Sequence, residues 1–138
     1  MTTNLNFNNI NYNKNVKELG FKVESWISDL TFFKTEIKFL KKIINTYPFK
    51  SNTQNLFENI QIFNKNLNNS ESKRLLILKR LPLIKQQIIK INEEDFQKKH
   101  TQFIDEFNNL EDEILIFKET YKHLKNTIYN YIYALSPS

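Results

Sequence analysis

The chain has no cysteine, one glycine, three prolines and one tryptophan in 138 residues. Without cysteine there can be no disulfide scaffold, thiol nucleophile or thiolate-ligated zinc. One glycine cannot build a glycine-rich phosphate loop, and so little glycine and proline excludes a collagen-like chain. No apolar stretch approaches the roughly 18 to 20 residues of a membrane span. The opening MTTNLNFNNINYNKN lacks a basic segment followed by an apolar one, the pattern of a secretory signal. These absences set the expectation of a cytoplasmic protein with a single domain of ordinary size.

Asparagine, lysine, isoleucine, phenylalanine and tyrosine make up more than half of the chain, while arginine is scarce and alanine nearly absent. All five have A/T-rich codons, so a pI of 9.3 reflects genomic composition as readily as an anionic partner. The distribution of charge says more than the total. Residues 71–92 carry Lys73, Arg74, Lys79, Arg80, Lys85 and Lys90 against Glu71 alone, whereas 93–119 are strongly acidic. On consecutive antiparallel helices these two stretches would complement each other.

The dominant signal is helical periodicity. Val16, Leu19, Val23, Trp26, Leu30, Phe33, Ile37, Leu40, Ile44 and Tyr47 follow one another at alternating steps of three and four, one face of a continuous helix. A second seam runs Leu56, Ile60, Phe63, Leu67, Ser70, Arg74, Ile77, Leu81, Ile84, Ile88 and Ile91, and a third runs from Phe103 through Phe107, Leu110, Ile114, Phe117, Tyr121, Leu124, Ile128 and Tyr131 to Leu135. Capping signals stand at Asn15 with Glu18, at Ser51 with Gln54, and at Asn92 before three carboxylates, with Ile91 and Phe96 as a staple. Gly20 implies either a helix start after it or a close backbone approach, and Pro82 implies a kink.

The spacing therefore predicts an all-α, elongated, antiparallel up-down-up three-helix bundle with coiled-coil-like seams, its helices about 32, 39 and 43 residues long. The domain spans 15–138, behind an Asn-rich arm at 1–14. A break near Asn68 to Ser70 would instead give a four-helix bundle.

No catalytic, cofactor-binding or metal-ligating constellation is expected. A di-metal bundle site needs Glu-x-x-His motifs, and Gln97 precedes His100 where glutamate would be required. His123 with Glu119, and the carboxylates Glu24, Glu36, Glu111, Asp112 and Glu113, read as helix surface paired with lysine. His100, on the third seam, reads as a core-edge histidine, and of Tyr129, Tyr131 and Tyr133 only Tyr131 is in phase with the seam. The expectation is a non-enzyme without cofactor, metal or evident small-molecule substrate.

One feature asks for a partner. Residues 75–91 are apolar around the whole helix, and Leu75, Leu76, Leu83 and Ile89 fall off the seam, as do Phe32 and Phe39 on the first helix. A helix apolar all round needs cover on more than one side. Phe32, Phe39, Leu75, Leu76, Leu83 and Ile89 form the candidate interface, for a homo-oligomer or a partner helix. The alternative is a basic module binding nucleic acid or an anionic membrane surface, which the acidic stretch next door disfavours.

Overall fold

The computed structural model describes residues 16–50, 52–90 and 93–135, with side chains for all of these except 93–101. The expected all-α three-helix bundle is what forms: α1 (Val16–Thr46), α2 (Leu56–Lys90) and α3 (Glu93–Leu135), with no strand among the described residues. At 1.5 Å per residue the helices are about 46 to 64 Å long.

Contacts between side chains fix the directions. Asn45 and Asn64 exchange amide hydrogen bonds at 3.0 Å at one end of α1 and α2, and Lys85 pairs with Glu24 at the other, so these helices are antiparallel. Asn59 reaches Tyr131, and Arg80 reaches Glu113, which makes α2 and α3 antiparallel as well. Parallel α1 and α3 complete the up-down-up order.

All three seams turn inward. Leu19, Val23, Trp26, Leu30, Ile37, Leu40 and Ile44 of α1 are buried against Phe63, Leu67, Ile77, Leu81 and Ile88 of α2 and the run Phe103 to Ile128 of α3. Heptad spacing produces this because side chains three and four residues apart stack on one helix face. The third seam is wider than its spacing implies, since Ile104 and Asn108 are also buried. A helix touching two neighbours at once buries more than one stripe.

Two expectations are corrected and a third, the continuity of α2, is borne out. α2 starts at Leu56, not at the Ser51–Gln54 box, because Asn55 adopts a left-handed φ of 57° and the preceding residues turn, with Phe49 N–H donating to the Tyr47 carbonyl and Thr53 N–H to the Lys50 carbonyl. Asparagine tolerates that conformation better than most residues. Gly20 marks neither a helix start nor a close approach: α1 begins before it, and a methyl group placed on it would meet nothing within 4 Å. α2 passes unbroken through Asn68, Asn69 and Ser70 and contains Pro82, so the four-helix alternative is not adopted. The caps at Asn15 and Asn92, residue Ser51 itself, the Ile91–Phe96 staple, the burial of His100 and the arm 1–14 lie outside the described residues.

Candidate interaction surface

Lysines and carboxylates tie α1 to α3 in a regular ladder. Lys22 pairs with Glu111 at 2.6 Å, Asp29 with Lys118 at 2.6 Å and Glu36 with Lys125 at 3.3 Å, each rung seven residues after the last on both helices. Inside the ladder run aromatic contacts, Trp26 on Phe107 at 4.8 Å and Phe33 between Phe117 and Tyr121. The Tyr121 hydroxyl donates to Glu36 at 2.8 Å. Burial, followed by that carboxylate, pushes the phenol well above its ordinary pKa.

Arg74 occupies a seam position of α2 yet is only 2% exposed. Its Nε and Nη2 each donate at 2.8 Å to the two oxygens of Glu71, one turn back, and its Nη1 donates to the Leu30 carbonyl of α1 at 3.1 Å. The charge is thus paired and its fork occupied, which is what burial of a guanidinium requires. The hydrogen bond from Arg74 holds the Glu71 carboxyl below the ordinary glutamate pKa despite partial desolvation.

The expected match between the basic and acidic stretches is realised in part. Glu113 of α3 takes Arg80 at 2.7 Å and Lys73 at 3.6 Å, while Lys85 and Arg74 turn to Glu24 and Glu71 instead. His123 and Glu119 are exposed, and no group of three or more His, Asp or Glu among the described residues could hold a metal.

Along the outer side of α2 and α3, away from α1, lies an open groove of about 600 Å³. Phe63, Ser70, Phe117 and Leu124 form its floor, Ile62 and Ile116 its walls, and Lys73 and His123 part of its rim. α2 presents the polar residues Asn66, Asn69 and Ser70 to the groove, and α3 presents Thr120 and Thr127.

All six residues of the expected interface are exposed, but they do not form one patch. Phe32 and Phe39 stand one turn beyond Asp29 and Glu36, on the edge of α1 toward α3. Leu75 and Ile89 stand one turn beyond Glu71 and Lys85, on the edge of α2 toward α1. Leu76 and Leu83 stand one turn beyond Lys73 and Arg80, on the edge of α2 toward α3. Ile62, on the same edge of α2 as this last pair, and Ile116, across the groove on α3, are 53% and 65% exposed and were not anticipated. Ile62, Leu76 and Leu83 share one face of α2 at multiples of seven, a pattern visible in the sequence once the direction of α3 is known.

No helix among the described residues is long and apolar enough to cross a membrane. Neither a family model, nor a curated protein, nor a solved structure matches the chain.

Proposed function

We propose that the protein is a non-enzymatic, cytoplasmic helical bundle that works through protein contacts, chiefly with a second copy of itself. The observation that carries this reading is the row of large apolar side chains, Ile62, Leu76 and Leu83, left exposed at multiples of seven along the edge of α2 toward α3, with Ile116 across the groove from it. Rows of this kind in a water-exposed bundle offer burial that the three helices leave unused. Two-fold pairing is the commonest way in which a single chain uses it.

Absolute mass by light scattering after size exclusion, over a concentration series, tests the proposal. A dimer is expected. A monomer at every concentration would overturn self-association and leave a partner helix as the occupant. The nucleic-acid or anionic-membrane alternative has less support, because Lys73, Arg74, Arg80 and Lys85 already face carboxylates of the same chain. It would require binding that weakens steeply with salt.

A further inference from the structure

From the charge pattern beside the α2/α3 groove we infer that this face is the self-interface, with the two-fold axis running along the helices so that α2 of each copy lies over α3 of the other. The inference rests on the self-association reading and specifies its surface and geometry.

Two ridges border the groove outside its apolar walls. On α2, Lys65 and Lys79 stand one turn beyond Ile62 and Leu76, and both are exposed. On α3, Asp112 and Glu119 bracket Ile116, one turn to either side. Among the described residues none of these four takes part in the ion pairs that hold the bundle together. Over the length of the groove one border is therefore basic and the other acidic, with Glu58 beyond its end, one turn before Ile62.

Of the two-fold axes in the plane of this face, two keep the helices of both copies aligned. An axis across the helices stacks α2 on α2 and α3 on α3, placing lysine ridge on lysine ridge and acid on acid. An axis along the helices stacks α2 on α3, with opposite charges facing and neighbouring helices antiparallel. Like-charge juxtaposition opposes the first arrangement, and complementarity favours the second. The axial register agrees with it. Lys73 and Arg80 both meet Glu113, so Leu76 lies within a turn of the level of Ile116, and Lys79 within a turn of Asp112. Rotation about an axis along the helices preserves level, so Leu76 of each copy meets Ile116 of the other and Lys79 meets Asp112. The exposed walls Ile62 and Ile116 are then covered, above a floor of Phe63, Phe117 and Leu124 that the single chain already buries.

The absence of native cysteine makes the geometry directly testable. Leu76→Cys and Ile116→Cys chains, prepared separately, are mixed and oxidised mildly, with the mass of the unmodified protein measured in parallel. Mixed Leu76→Cys/Ile116→Cys disulfide should exceed either symmetric disulfide several-fold. Lys79→Glu should weaken dimerisation on the order of tenfold, the double variant Lys79→Glu/Asp112→Lys should restore it, and Phe39→Asp should leave it unchanged. Circular dichroism confirms that each variant is folded. A dimeric parent that yields only symmetric disulfides, or none, overturns this geometry while self-association stands. A parent that is monomeric at every concentration overturns both.

Discussion

Arg74 shows how one side chain can be read correctly for position and incompletely for role. Its place on the second seam was legible from spacing alone, but nothing in the spacing says that its guanidinium would be shared between Glu71 and the Leu30 carbonyl. Removing only the acceptor should leave a buried charge short of partners, so Glu71→Ala is expected to cost about 3 kcal/mol, the low end for a broken buried pair because Glu71 is partly solvated. Replacing the charge with an apolar chain of similar length, Arg74→Met, should cost less than that or stabilise, as urea denaturation of both variants would show. The pH dependence has a defined sign. Because the folded-state pKa of Glu71 is lowered, its contribution is present above the unfolded value near 4.5 and is lost as pH falls through the folded one. Glu71→Gln should therefore flatten the acid limb of a plot of Tm against pH below that value. Gly20 is the simpler case: with free space around the added methyl and a helical backbone, Gly20→Ala should raise stability by about 0.5 to 1 kcal/mol.

The existence, order and inward faces of the three helices were all readable, because each seam spans many turns and no single residue decides it. Boundaries were less so. The Ser51–Gln54 box was a sound local signal that lost to a left-handed turn at Asn55. The continuity of α2 was legible because the seam keeps phase across both Asn68 to Ser70 and Pro82. Proline inside a helix removes one backbone hydrogen bond and crowds the preceding turn. Pro82 is exposed, so Pro82→Ala deletes no core contact and should stabilise α2 by about 1 to 3 kcal/mol, measurable by thermal or chemical unfolding. The α1/α3 ladder was hidden, since its rungs depend on which helix is parallel to which. Its pairs are partly solvated and individually weak, about 0.2 to 1 kcal/mol each. They specify axial register more than they add stability.

The division between stability and association extends to the whole molecule. Core positions such as Leu40 act within one copy, whereas Leu83, exposed on the edge of α2 toward α3, would act only between copies. The candidate surface was half legible for this reason: off-seam apolar residues could be counted from the sequence, but their separation onto three different edges, and the groove that joins Ile62 to Ile116, required the packed helices. Any assembly that the folded chain joins and the unfolded chain does not makes apparent stability depend on concentration. The parent protein should therefore show a Tm that rises with protein concentration. Leu40→Ala should lower Tm at every concentration, through a loss of about 2 to 5 kcal/mol, yet keep that upward slope, because the cavity lies inside the bundle and leaves the outer face intact. Leu83→Asp should keep the Tm of the dilute parent and abolish the slope. Differential scanning over a hundredfold concentration range separates the two effects, and a slope that survives in Leu83→Asp would place the self-interface away from the edge of α2 that faces α3.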